Sequence, residues 1–266
     1  MTLTRKISEL HVYPVKSCKG WSLETATVGA SGLEHDREWM VIEEVGYFIS
    51  QRQYPKMATI TPKLSGDTLI LSVPEMGEVI VPMVSRMRKK VIVWESECEA
   101  FDQGEEVAVW LSSFLGKNVR LVRMAPDFER KLKEKYRITG NETVAFADSM
   151  PLLLTTEASL EDLNSKLETP LRMDRFRPNI VVSGASTFEE DTWKKIQIEG
   201  TVFRVSKPCY RCEITTVNQD TGEKGVEPLE ALGRYRTGPK GIIFGQLLIH
   251  EGQGRIRVGD EVTVLE

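Results

Sequence analysis

Apolar residues in the first hundred positions of the chain alternate with polar ones in short runs, the period of strands that are buried on one face. The segments "ISELHVYPVKS", "REWMVIEE", "YFISQRQ", "DTLILSVP", "EVIVPMV" and "KKVIVWE" are separated by turn-forming or charged residues, and each predicts a strand. Leu69, Leu71 and Val73, like Val91 and Val93, fall on one face of such a strand. The period changes in "GEEVAVWLSSFLGKN". There Val107, Trp110, Leu111 and Phe114 line one side of a predicted helix that Gly116 ends. Residues 126–142, "PDFERKLKEKYRITGNE", replace the pattern with charge and predict an exposed connection with a solvated face. Then "MPLLLTT" predicts a strand. "EASLEDLNSKL" predicts a helix with Leu160, Leu163 and Leu167 at helical spacing and Ser159 with Asp162 as a capping box. Further strands are expected in "RFRPNIVVSG", "WKKIQIEGTVFRVSKPCYRCEITTV" and "GPKGIIFGQLLIHEGQGRIRVGDEVTVLE", and a short helix in "EPLEALGRY". The sum is an α+β chain, mainly antiparallel β, with a β-barrel or strongly bent sheet in its second half.

Composition narrows the function classes. The 266 residues are 41% hydrophobic and 28% charged, ordinary for a globular protein. A net charge of −4 argues against general nucleic-acid binding, while a local basic pocket remains open. No apolar run is long enough for a signal peptide or a membrane span. Four cysteines are too few for a disulfide framework, so a reducing cytoplasm with free thiols is expected.

Candidate chemistry gathers at "KPCYRCEITTV", where Cys209 and Cys212 bracket Tyr210 and Arg211. A structural zinc site needs four ligands, but Cys18 and Cys98 are isolated and His11, His35 and His250 are scattered. A thioredoxin-like couple wants a helix after the pair, whereas "EITTV" predicts a strand. Two buried cysteines acting as small apolar residues remain possible on these residues alone. Arg211 would favour a neighbouring thiolate, and one thiolate on a soft metal centre suits the segment better than a redox couple. In "RFRPNIV", Arg175, Arg177 and Asn179 alternate along an expected extended segment and form a receiver for phosphate or carboxylate. "YPVKSCKG" offers Lys16 and Ser17 in a turn able to hold an anion. "HDREW" places Arg37 at an expected strand edge, and Asp148 and Ser149 precede the "MPLLL" strand. No Walker or dinucleotide phosphate loop is present.

Taken together, "VYPVKSCKG", "RFRPNIVVSG", "CYRCEITTVNQDTGE" and the terminal "FGQ" and "VGD" elements resemble the MOSC-domain family. The arrangement is that of members carrying an N-terminal MOSC-associated (MOSC_N) β-rich domain, including the mitochondrial amidoxime-reducing component and bacterial N-hydroxylamine-detoxifying proteins. The resemblance implies a MOSC-associated domain over residues 1–125 and a MOSC β-barrel over residues 126–266. It implies a molybdenum cofactor, Mo-molybdopterin, with Cys212 as metal ligand and catalytic centre and Cys209 as a neighbour. Lys16, Ser17 and Arg37 would reach the cofactor from the first half, and Ser149, Met150, Arg177, Asn179, Tyr210 and Arg211 from the second. Met150 and Tyr210 depart from the family, which favours small hydroxyl residues there. The implied function is a cytoplasmic oxidoreductase that reduces N-hydroxylated small molecules (hydroxylamines, amidoximes, N-hydroxylated bases). Its electrons would come from a separate flavin or iron–sulfur protein. No appended ferredoxin domain, membrane anchor or pyridoxal-phosphate sulfurase domain is expected. Two alternatives remain: a cofactor-binding or sulfur-carrier module without turnover of its own, and a thiol-redox protein that needs both cysteines.

Overall fold

The computed structural model describes residues 4–66, 68–81 and 87–266. Asp67 and the Pro82–Val84 end of the expected "EVIVPMV" strand lie outside the described residues. Strands dominate and helices are few, as the patterning predicts.

The largest sheet contains strands from both ends of the chain. Its order runs Thr263–Val264, Lys195–Ile198, Thr201–Tyr210, Gly241–His250, Leu152–Thr156, Ile180–Ser183, Lys6–Val12, Trp21–Leu23, and Thr237–Gly238 adds to Gly241–His250. Leu152–Thr156 and Ile180–Ser183 pair in parallel; the other neighbours are antiparallel. The C-terminal segment curls this sheet onto itself. Ile7 donates to the Asp260 carbonyl, and Gly259 and Val262 donate to the carbonyls of Ile7 and Arg5. Two residues later the same segment pairs with Ile196 and Gln197. Closure of this kind leaves few unpaired edges. The interior is filled by Ile7, Leu10, Val12, Leu154, Val182, Ile198, Phe203 and Leu248, all at most 1% exposed. Residues 5–12 therefore complete a barrel whose strands, apart from the neighbouring Trp21–Leu23, come from beyond residue 150, and the hydrogen bonding crosses the expected division at 125/126.

Smaller sheets pack beside it: Trp39–Glu43, Val119–Met124, Ser96–Asp102 and Arg88–Val93 in that order, and Thr61–Ser65, Thr68–Val73 and Gly77–Val81. Leu69, Leu71, Val73, Val91 and Val93 are buried, as their alternation requires. Helix Glu105–Leu115 buries Val107 and Leu111 and ends at Gly116, whose φ of 68° is the left-handed conformation of a C-terminal glycine.

Four local expectations are overturned. "YFISQRQ" is a turn with isolated bridges at Tyr47 and Phe48, because Gln51 and Arg52 turn inward instead of alternating. "EITT" forms a 3-10 turn, Glu213–Thr216, in which the Thr215 and Thr216 hydroxyls donate to the carbonyls of Cys212 and Glu213; this local bonding prevails over the β preference of threonine. "RFRP" is not extended. Met173–Arg175 is a 3-10 turn, and Arg177, denied the right-handed region by Pro178, takes φ 54°. The helix over Glu157–Asn164 is capped by Thr156, whose hydroxyl accepts from the Ser159 amide, so Ser159 is not the cap.

Candidate functional site

A cavity of about 250 Å³ opens between the barrel and the first-half sheets. All ten sequence-expected site residues line it: Lys16, Ser17 and Arg37; Ser149 and Met150; Arg177 and Asn179; and Tyr210, Arg211 and Cys212. Arg175 does not. Its guanidinium instead donates to the Thr215 carbonyl at 3.3 Å, because the 3-10 turn breaks the alternation with Arg177.

Backbone irregularity aims these groups inward. Ser17, Arg37 and Arg177 all have φ between 53° and 67°, an unusual conformation for residues with side chains. Arg37 thus occupies a tight turn before strand Trp39–Glu43, not the expected strand edge. The Ser17 conformation is held by Gln51, which donates to its carbonyl at 2.8 Å and exchanges side-chain hydrogen bonds with buried Gln219. Strand Thr201–Tyr210 shifts register twice against Gly241–His250, between Val205 and Lys207 and between Pro208 and Tyr210. Bulges of this sort re-aim side chains, and here residues 207–212 line the cavity. Pro208, which has no amide hydrogen, is tolerated at such a position.

Among the described residues, charge in the lining is one-sided: Lys16, Arg37, Arg52, Arg177, Lys207 and Arg211 stand against Asp148. The Tyr13 ring packs against both guanidinium groups of Arg37 and Arg177, each 4.2 Å from its centroid, and its hydroxyl donates to the Pro178 carbonyl at 3.0 Å. Gly20 makes room for that ring, since a Cβ there would lie 2.4 Å from it. Burial, reinforced by neighbouring Arg37, lowers the Arg177 pKa to about 10, which still leaves it cationic at neutral pH. Burial likewise lowers Lys16, and Asp148 opposes that shift through an ion pair with its Nζ. Burial would raise the Asp148 carboxyl, but Lys16, a hydrogen bond from Trp94 Nε1 (3.0 Å) and nearby Arg52 hold it well below the carboxylate range. It stays ionised and accepts hydrogen bonds.

The cysteines divide by environment. Cys18 and Cys98 are wholly buried and their thiols are raised by burial, that of Cys18 to about 12. Cys209 and Cys212 are half-buried and face the cavity. Arg211 donates to Cys209 Sγ at 2.9 Å, whereas the guanidinium beside Cys212 Sγ is that of Arg52, at 3.7 Å. Arg52, Lys207 and Trp94 were not singled out from the sequence. The only signal was the polar "QRQ" after an aromatic pair, which the strand pattern absorbed. Asn179 serves as a pin: its Oδ1 accepts from Arg37 and the Leu153 amide, and its Nδ2 donates to the His11 carbonyl. The charged run at 126–142 also hides a structural cation. Arg130 is buried, and it donates to the carbonyls of Ala145 and Ala147, fixing the loop that presents Asp148.

Residues 4–118 match the MOSC N-terminal beta barrel domain and residues 141–263 match the MOSC domain. The chain belongs to the MOSC-domain family. It is 38% identical to the mitochondrial amidoxime-reducing component 1 of Mus musculus, with 97% of this chain and 82% of that protein aligned. It is 37% identical to the mitochondrial amidoxime reducing component 2 of Bos taurus, over 96% of this chain and 82% of that one. Among solved structures, the YUAD protein of Bacillus subtilis aligns over 98% of this chain and 94% of its own at 12% identity and a TM-score of 0.44, too distant to inform the site. Among the described residues of this MOSC protein, no helix is long and apolar enough to cross a membrane. Nor do three His, Cys, Asp or Glu side chains converge to hold a metal among themselves.

Proposed function

We propose that this MOSC protein is a molybdenum-cofactor-dependent oxidoreductase that reduces N-hydroxylated small molecules, as the names of its amidoxime-reducing relatives suggest. The observation that carries the reading is the convergence of cationic groups from both halves of the chain on one cavity that the half-buried thiols of Cys209 and Cys212 face. The donor set fits the group: a single soft sulfur, Cys212, can complete the sphere of a metal whose other ligands come from a dithiolene. When bound, the cofactor supplies the two-electron chemistry.

The residues of the chain bind and orient. Arg37, Arg177 and Lys16 would hold the anionic tail. Arg211 also carries a buried Nε with no partner among the described residues, a donor left over for a ligand. Ser17, Ser149, Met150, Asn179 and Tyr210 complete the walls. Arg52 flanks the Cys212 sulfur at 3.7 Å, a cation beside the proposed ligand position. Asp148, held ionised, accepts hydrogen bonds and is not a proton donor near neutral pH. Electrons would come from a separate flavin or iron–sulfur protein, because the two cysteines outside the cavity are buried singly. We place the protein in the cytoplasm and keep 1–125 and 126–266 as its two evolutionary parts.

The test is protein produced in a cofactor-competent host, assayed for molybdenum, pterin fluorescence and amidoxime reduction with a chemical reductant. Cys212→Ala should lose activity to background, and Cys209→Ser should keep most of it. Full turnover by Cys212→Ala would sink the assignment, and loss of activity in both variants would favour a dithiol mechanism.

A further inference from the structure

A second cavity, about 580 Å³, adjoins the first and shares Asp148, Ser149 and Lys207 with it. Its walls carry two aromatic rings, Trp94 and Tyr136, and a surplus of positive charge. Two cations there are committed: Lys133 pairs with Glu95, and Arg130 holds backbone carbonyls. Among the described residues, Lys131, Lys135 and Lys207 form no ion pair with any carboxylate. Lys135 and Lys207 instead sit 4.9 and 4.6 Å from the centroid of the Tyr136 ring. Against burial, which would raise it, the two ammonium groups lower the Tyr136 phenol. A net negative protein that concentrates unpaired lysines and aromatic faces beside its reaction cavity provides a receptor for a flat anion.

We propose that this second cavity is the substrate chamber, and that it selects aromatic N-hydroxylated compounds bearing a carboxylate or phosphate. The anionic group draws Lys135 and Lys207 off the Tyr136 ring, the substrate ring packs against Tyr136 and Trp94, and the N-hydroxyl end projects past Asp148 toward Cys212. Lys135 and Lys207 each lie over the Tyr136 ring, a weak partner that an anionic ligand can outcompete. The inference rests on the reductase reading for the identity of the reacting group, and on the cavity alone for the anion preference.

Benzamidoxime and 4-carboxybenzamidoxime form the matched pair. In cofactor-loaded protein, kcat/KM should favour the carboxylate by about tenfold, carried in KM, and the preference should shrink as salt is raised. Lys135→Gln should reduce the ratio to near unity, and Lys207→Gln should do the same. Lys135→Arg should restore part of it. Calorimetric titration of the cofactor-free protein with the same two compounds supplies a second readout. The carboxylate should bind more tightly to wild type than to Lys135→Gln. Equal loss for both compounds, no preference, or carboxylate binding unchanged by Lys135→Gln would overturn the chamber, the last by placing the anion in the first cavity. If neither compound is turned over, the reductase reading fails, and the calorimetric comparison alone decides the anion site.

Discussion

Asp148 is the hinge of the charge balance in the first cavity: Lys16 Nζ and Trp94 Nε1 both donate to its Oδ1, and Arg52 lies 3.7 Å from Oδ2. Replacing it with Asn strands the Lys16 ammonium, whose side chain is 7% exposed, without its anion. The expected cost at neutral pH is about 1–3 kcal/mol, reduced from that of a fully buried pair because Asp148 is half-exposed. The sign of the pH dependence follows from the shifts. The Asp148 carboxyl is held below its ordinary value, so its contribution is complete above about pH 4 and is lost as pH falls through its folded-state pKa. Lys16 is lowered by burial, and further without Asp148, so the deficit of Asp148→Asn should shrink as pH rises from neutral into the alkaline range. Urea unfolding midpoints for both proteins at neutral and alkaline pH check this; a deficit independent of pH would show that the pair contributes nothing. Lys16, Ser17 and Arg37 could be singled out from the sequence because their residue types suit an anion. Arg52 could not, because its proximity to Cys212 arises from 160 residues of intervening chain.

Strand Gly241–His250 approaches Leu152–Thr156 closely at one residue. Gly245 has φ 77°, and a Cβ there would lie 2.6 Å from the Leu154 carbonyl oxygen. Gly245→Ala is therefore both strained and crowded, and it should cost about 2 kcal/mol or more. A thermal melt with an unchanged midpoint would show that the two strands can separate without penalty. The elements most legible in the sequence were those with a clear period: helix Glu105–Leu115 and the strands around Leu69–Val73 and Val91–Val93. Those misjudged, at 47–53, 175–177 and 213–216, are short and line or support the cavity. There side-chain bonds to the backbone and left-handed residues displace the conformation that propensity favours.

At the scale of the whole molecule, the two halves of the chain share one hydrogen-bonded barrel. Strand Lys6–Val12 lies between Ile180–Ser183 and the closing segment at 259–262, so a fragment of residues 126–266 would expose two edges and the part of the core that Ile7, Leu10 and Val12 cover. Alone it should show no cooperative unfolding transition, and mixing it with a 4–125 fragment should restore one. Cooperative melting of the isolated 126–266 fragment would refute this. The cavity has the same dependence, since Lys16, Arg37 and Arg52 enter it from one half and Arg177, Arg211 and Cys212 from the other.

The sequence by itself determined the class of fold, the candidate cysteine pair and the types of residue suited to an anion, because period and residue chemistry are local properties. Only the tertiary structure decided which cation stands beside which sulfur, that the first strand belongs to the last barrel, and that a second, lysine-rich cavity opens onto the first. Each of those depends on contacts between residues far apart in the chain, and no local pattern records them.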